Sequence, residues 1–465
     1  MAYKEPGVYL EVINNPRGAT ITGIQMVPTV IGSGAKKLKN TVAITRASSG
    51  QVDTVPFTSL VSIEHIGTSK SGASTWVLTT DPLIPQDYTF TVGSNVITWE
   101  TGKGPAAGAT YYITAVYDVE ATQYEPKVAY VLKDVIDNYG PDIQENETST
   151  PICPISLAAQ LVLLQGAPAV NIIQVECAGD TPTASEYSAA LDAYAKFIPS
   201  IWRMVPADLD ADVQAVVTAH INLMSTVEER MERSAFYGKA YTSTDLAPTV
   251  FSGSDGVLTK IGGFASGIEN KRISVIYPDV ATRTLSDGTT RDLSSPFILA
   301  AIAGAKAALP TQRSMTRMSV AGFTDLKGVK MTRTEKNELA AKGVMILEQT
   351  ATGTPVVVRH QLTTDLASTQ SKENSILEIQ DYCAKQYRAA CEPYIGKYNI
   401  TTQLVTMIRG TMDSTTNTLV QKGIIQRGKI NNIYQDAENP DTMLLSISVL
   451  PPYPCNYIDI TLVLE

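Results

Sequence analysis

At 465 residues, with 44% hydrophobic and 18% charged residues, the chain has the make-up of a globular protein of two to four units, which excludes wholesale disorder. Its net charge of −9, from 46 acidic and 37 basic residues, argues against nucleic acid as a main partner. No stretch joins a basic region to an apolar core and a cleavage site, and the longest apolar runs are interrupted or too short to span a bilayer. A soluble product made in the cytoplasm, without membrane insertion, is therefore expected.

The first predicted element is an alternating strand, Val8, Tyr9, Leu10, Glu11, Val12 and Ile13, cut off by Asn14, Asn15, Pro16, Arg17 and Gly18. No Asn-Gly or Asp-Gly pair leads it into a matching run, so it has no hairpin partner nearby. Residues 40–125 are rich in Thr, Val, Tyr and Gly. TWVLTT (75–80), YTFTVGSNVITWE and TYYITAVYDV alternate with period two, the middle run as a hairpin turning at Gly93, Ser94 and Asn95. Residues 64–74 read as exposed loop. Turn signals every ten residues or so predict a small β-sandwich or barrel.

From residue 126 strands and helices alternate. PKVAYVLKDVIDNYG is a strand and a helix stopped at Gly140, and SLAAQLVLLQGA is a helix before the buried strand AVNIIQVEC. TASEYSAALDAYAKF is a helix with Ala189, Leu191, Tyr194 and Phe197 near one face. IWRMVPAD and KRISVIYPD are strands, followed by the helices DADVQAVVTAHINLMS and SSPFILAAIAGAKAAL. This alternation implies an α/β layer with a largely parallel sheet, into which the β module is inserted. A third region begins near residue 343 with two strands in GVMILEQTATGTPVVVRHQLTT. A long helix follows, its stripe formed by Ile376, Ile379, Cys383, Tyr387, Ala390 and Tyr394. Ser375 with Glu378, or else Ser371, could cap it. After a second helix at 402–422, KINNIYQD and TMLLSISVLP read as paired strands. In the final CNYIDITLVLE, Ile458, Ile460, Leu462 and Leu464 share one face, and Tyr457, Asp459, Thr461 and Val463 the other.

A search for chemistry finds little. No GxxxxGK[ST], GxGxxG or GxSxG stands in its required context. His65, His220 and His360 lie in separate regions without metal-ligand spacing, and His220 reads as a packing residue on a helix. Asp208, Asp210 and Asp212 read as complements to a helix N-terminus. The five cysteines are scattered without a CxxC, and Cys383 and Cys391 lie about 12 Å apart along one helix, too far to bridge each other. No catalytic residue, cofactor or metal is expected.

Four segments in order carry a resemblance. PGVYLEV, the stretch DGTTRDLSSPFILAAIAGAKAALPTQRSMTRMSVAGF, the run EKNELAAKGVMILEQ with VVVRHQLTTD and YIGKYN, and LPPYPCNYIDITLVLE resemble the contractile-tail sheath proteins of bacteriophages and R-type bacteriocins. The resemblance implies an α/β sheath core (25–39 plus 126–342) and a C-terminal α+β domain facing the tube (343–455). It also implies an outward-facing β insertion (40–125) and strand arms at 1–24 and 456–465.

The function it implies is structural. Subunits would stack as hexameric rings or a six-start helix around an inner tail tube, with baseplate and tail terminator proteins as further partners. They would assemble in the host bacterial cytoplasm and form the sheath of the virion tail, or of a bacteriocin or other injection particle. The arms, Val8–Ile13 and Tyr457–Leu464, would exchange strands between subunits about a hinge at Asn14, Asn15, Pro16 and Gly18. Lys385, Arg388 and Lys397 are candidate tube contacts, against the plainer reading of a solvated helix face. A cytoplasmic α/β enzyme is the remote alternative.

Overall fold

The computed structural model describes residues 26–35, 37–46, 52–57, 59–78, 86–118, 124–143, 152–179, 181–242 and 244–458. The first strand, Val27–Gly32 (β1), is buried at every position. A strand without a polar side needs neighbours on both edges and cover on both faces.

The chain leaves β1 to build an all-β module from Lys37–Thr45 (β2), Val52–Thr54 (β3), Leu60–Gly67 (β4), Tyr88–Phe90 (β5), Val96–Trp99 (β6) and Thr110–Asp118 (β7). These form two three-stranded sheets, ordered β2-β7-β4 and β3-β6-β5. The β5–β6 hairpin turns where the sequence places it, with Gly93 at φ 85°. Inside, the Trp99 indole and the Tyr111 hydroxyl donate to buried Asp53 at 2.8 and 2.9 Å, so each aromatic buries its ring and still satisfies its polar tip. The strand expected at 75–80 does not form over 75–78, where Trp76 packs edge-on against Trp99. The expected loop at 64–74 begins inside β4, whose Ile66 is buried.

The chain returns through Lys127–Ala129 (β8), Leu132–Tyr139 (α1), Pro154–Leu164 (α2), Val170–Gln174 (β9), Ala184–Ala193 (α3), Ile201–Pro206 (β10) and Ala211–Met224 (α4). Ser234–Tyr237 (β11), Val257–Ile268 (α5), Ile273–Tyr277 (β12), Val280–Thr284 (β13), Thr290–Leu293 (β14) and Ser295–Ala307 (α6) follow. Next come Ser319–Val320 (β15), Asp325–Lys327 (β16), Arg333–Ala340 (α7), Val344–Glu348 (β17) and Val356–Val358 (β18). The main sheet has nine strands in the order β15-β18-β17-β12-β11-β10-β1-β9-β8. The six from β17 to β9 run parallel, and antiparallel strands close both edges. Alternation splits the core: Val30 and Ile172 face α2 and α6, whereas Ile31 and Ile173 face α3 and α4.

Three expectations are corrected here. The α/β sheet does not end at residue 342: β17 pairs in parallel with β12 (Val275↔Val344, Tyr277↔Ile346), because its apolar run is buried on both faces. Phe197 is 75% exposed rather than part of an apolar helix face, since α3 ends at Ala193. Ser375 and Glu378 are buried and form no capping box; Ser368 instead caps the short helix Thr369–Lys372 (α8), which leads into Asn374–Cys391 (α9).

The chain then forms Thr402–Gln421 (α10) and an antiparallel hairpin of Arg427–Gln435 (β19) and Met443–Leu450 (β20). Ile430 and Ile433 of β19 pack against Leu404, Ile408 and Met412 of α10.

Candidate functional site

Asp208, Asp210 and His220, weighed for chemistry in the sequence, hold local structure together. Asp208 accepts hydrogen bonds from the Ser33 hydroxyl (2.5 Å) and Tyr187 (2.7 Å), tying the end of β1 to α3 rather than sitting at a helix terminus. Asp210 does cap α4, accepting from the amides of Asp212 and Val213. His220 is buried and accepts from Arg233, and burial followed by that guanidinium lowers its pKa to about 4. Among the described residues no group of His, Cys, Asp and Glu could hold a metal ion, and no helix is long and apolar enough to cross a membrane.

The C-terminal region joins the α/β sheet through a buried polar seam. Arg203 of β10 donates to Glu378 of α9 at 2.7 Å and to Asn374 at 3.0 Å, and Lys306 of α6 reaches the second Glu378 oxygen at 2.8 Å. Asn374 donates onward to Ser274 of β12 at 2.6 Å. Beside them Arg272 binds Asp381 through two bonds of 2.9 and 3.1 Å. Desolvation lowers the pKa of Arg203 and Lys306, and Glu378 opposes that fall in both.

This seam bears on the three cations singled out in the sequence. Lys385 faces inward, only 8% exposed, and its ammonium group has no hydrogen-bond partner among the described residues. Burial lowers its pKa, while Glu232 and Asp381 raise it. Arg388 grips Glu232 at 2.5 and 2.6 Å. Lys397 is exposed beyond the end of α9. The three do not share one open face, because the α9 side that carries Lys385 is turned toward the sheet.

Two features favour association. The first is the β19–β20 pair, which has no third strand among the described residues. Its open edges leave backbone donors and acceptors free, and a two-stranded sheet alone is marginally stable. The second is the segment that leaves β20. Tyr453 accepts from Gln370 at 2.9 Å, Asn456 donates to Glu373 at 2.9 Å, and the Tyr457 ring meets His360 edge-on at 6.3 Å. Cys455, Asn456 and Tyr457 line a groove of about 780 Å³ together with Arg317, Arg333, Arg359, His360 and Lys372. Tyr457 and Ile458 are 76% and 77% exposed. The other expected arm and hinge residues, Val8–Ile13, Asn14, Asn15, Pro16, Gly18 and Asp459–Leu464, lie outside the described residues. Neither the seam nor the groove has a local sequence signal, because each joins residues more than a hundred positions apart.

No protein-family profile matches the chain. Over 330 residues, 70% of its length, it is 27% identical to a tail sheath protein of Mycobacterium phage Bxz1, of which the match covers 53%. The chain thus spans about half the length of the curated relative it matches. By fold it is similar along its whole length to a chain of the contracted helical sheath of the anti-feeding prophage, with a TM-score of 0.58, 12% identity and all of that chain covered. It is likewise similar to a chain of the contracted sheath complex of an extracellular contractile injection system, PVC, with a TM-score of 0.55, 10% identity, and coverage of 100% of this chain and 99% of that one. The chain therefore resembles contractile tail sheath proteins in sequence and shares the fold of contractile sheath subunits.

Proposed function

We propose that the chain is a structural subunit of a contractile tail sheath. It polymerises as stacked hexameric rings or a six-start helix around an inner tube, linked by strand exchange through its N- and C-terminal arms. The observation that carries this reading is the β19–β20 pair, which has no third strand among the described residues; the sequence adds the expectation of a strand at Val8–Ile13 without a nearby hairpin partner. Each arm entering such a sheet is β-augmentation, in which main-chain hydrogen bonds supply affinity and alternate side chains supply fit. Five such bonds at roughly 0.5–1.5 kcal/mol each contribute roughly 3–8 kcal/mol, and buried Val, Leu and Ile side chains add to this.

Contraction then runs from a metastable extended lattice to one with larger contacts between subunit bodies, and it drives the tube through a target envelope. The energy comes from those contacts rather than from nucleotide hydrolysis. The tube-facing set is reduced to Lys397 and Arg388, with Lys385 left to the interior. The β module faces outward, baseplate and terminator proteins bound the ends, and assembly takes place in the host cytoplasm.

Negative-stain electron microscopy of the expressed chain, alone and with its tube protein, tests the reading. Striated tubes are expected from the full chain, and folded but unlinked subunits from a deletion of residues 1–15. Sheaths of normal length that contract despite that deletion would overturn the strand-exchange part, and a chain that never polymerises with its tube would overturn the whole.

A further inference from the structure

The groove beside the C-terminal segment is cationic in a chain whose net charge is −9. Arg317, Arg333, Arg359 and Lys372 line it, and among the described residues no carboxylate does. Glu348, outside the lining, is shared by Arg317 at 3.5 Å, Arg359 at 3.4 Å and Lys336 at 3.0 Å. Arg333 and Lys372 have no carboxylate partner among the described residues. Buried Val344, Ile346 and Leu362 give the groove an apolar wall as well. Its complement is an acidic segment with an apolar residue between its carboxylates.

The turn between β19 and β20 has that chemistry. Residues 436–441 read DAENPD, with three carboxylates and no cation. The turn is held from within: the Asp436 amide donates to the Thr442 carbonyl and the Thr442 amide to the Asn439 carbonyl, each at 2.9 Å. The Asp436 carboxylate accepts from the Glu438 amide at 3.1 Å and from the Asn439 side chain at 3.2 Å. Glu438 and Asp441 are left exposed without a cationic partner among the described residues, on either side of exposed Pro440. Another acid-rich stretch, Asp208 to Asp212, is engaged within its own subunit, Asp208 by Ser33 and Tyr187 and Asp210 by the amides of α4.

None of residues 436–441 lines the groove of its own chain. The turn stands at the opposite end of β20 from Leu450, after which the chain enters the groove at Cys455, and the eight residues of that strand span about 26 Å. We propose that the acidic turn of one copy of the chain docks in this groove of a second copy, Glu438 and Asp441 pairing with Arg333 and Lys372. Two carboxylates then meet two cations, and Pro440 lies against the apolar wall. Turn and groove are different surfaces, so the contact is head-to-tail and repeats from copy to copy into a ring or a filament. As a lattice contact it rests on the sheath reading above; as a contact between two copies it stands by itself.

Isotope-resolved coupling of the full-length chain tests the contact. Chains labelled with ¹⁴N and ¹⁵N are mixed in equal amounts while dilute, concentrated, treated with a carbodiimide, which joins a carboxylate to an amine in contact with it, and digested for mass spectrometry. The expected product is an amide between Lys372 and Glu438 or Asp441, with mixed-isotope adducts as abundant as the two single-isotope classes together. Sedimentation velocity adds a charge swap. Arg333→Glu with Lys372→Glu in one variant, and Glu438→Lys with Asp441→Lys in another, should each weaken self-association several-fold at an unchanged circular dichroism spectrum. Mixing the two variants should restore it. No such adduct, adducts of a single isotope only, or a mixture that fails to associate would overturn the proposal. Electron microscopy of the uncoupled chain with its tube protein reads the sheath separately. Striated tubes without the adduct would overturn this contact and leave the sheath reading standing, whereas the adduct without tubes would do the reverse.

Discussion

Glu378 is the residue on which the seam depends, because it meets two buried cations at once. Its side chain, like those of Arg203 and Lys306, is almost wholly removed from water. Removing one member of such a group leaves charge buried without compensation, which typically costs about 3–5 kcal/mol, whereas an exposed pair such as Lys133–Asp137 is worth about 0–1 kcal/mol. Glu378→Gln keeps the shape and removes the charge. Urea unfolding should show a loss of about 3–5 kcal/mol, and an unchanged midpoint would mean that charge does not hold α9 to the sheet.

Two buried titrating groups pull stability in opposite directions. His220, lowered to about 4, stays neutral in the folded chain between pH 6.5 and 4 while the unfolded chain takes up a proton, so falling pH in that window favours unfolding. Asp279, pushed up to about 7 by burial, behaves inversely. Between about pH 3.8 and 7 the folded chain keeps a proton that the unfolded chain has released, so stability falls as pH rises across that window and levels off above about 7. Relative to the unsubstituted chain, Asp279→Asn should therefore be more favourable at pH 8 than at pH 5. His220→Gln should reduce the loss of stability between pH 6.5 and 4. Urea midpoints across this range measure both, and differences that do not change with pH would contradict the assignments.

At the scale of elements, α2 and α6 cross so closely that a Cβ on Gly304 would lie 2.3 Å from the Val162 carbonyl oxygen. The obstacle is backbone and cannot swing aside. Gly304→Ala should destabilise the chain by about 1–3 kcal/mol despite alanine's better helix propensity, as overpacked core sites do. Thermal unfolding provides the measurement, and a raised midpoint would show that the helices can separate without cost.

These two helices were readable in advance because their apolar runs are long and end in clear stops. Helix α5 was not, since Gly262, Gly263 and Gly267 weaken its local preference. Packing overrides that preference: Gly262 stands against Leu339 and Lys342, where its missing side chain leaves room for the neighbouring segment. Strand β11 is only four residues long, and β2 interleaves Lys and Asn with its apolar positions, so neither shows a clean period of two.

For the whole molecule, the sequence conveys the α/β core, the β insertion, the terminal hairpin and the likeness to sheath proteins. It conveys the site much less well. Lys385 looks like its surface neighbours in a helical pattern, and only the docking of α9 turns it inward. The α/β unit expected to end at residue 342 runs on, because β17 belongs to the sheet by a pairing with β12 some seventy residues earlier. The groove depends on side chains from Arg317 to Tyr457, which no window of sequence brings together.

The position of β1 also has a mechanical meaning. The first 25 residues run directly into a strand paired in parallel on both sides, with β9 through Thr29–Gly32 and with β10 from Val27 to Ile31. A pull along that strand loads both ladders in shear, so their hydrogen bonds must yield together rather than peel one at a time. Were residues 1–24 the arm proposed above, its tension would be delivered to the middle of the main sheet and shared across it, an anchor stronger than any edge strand could be.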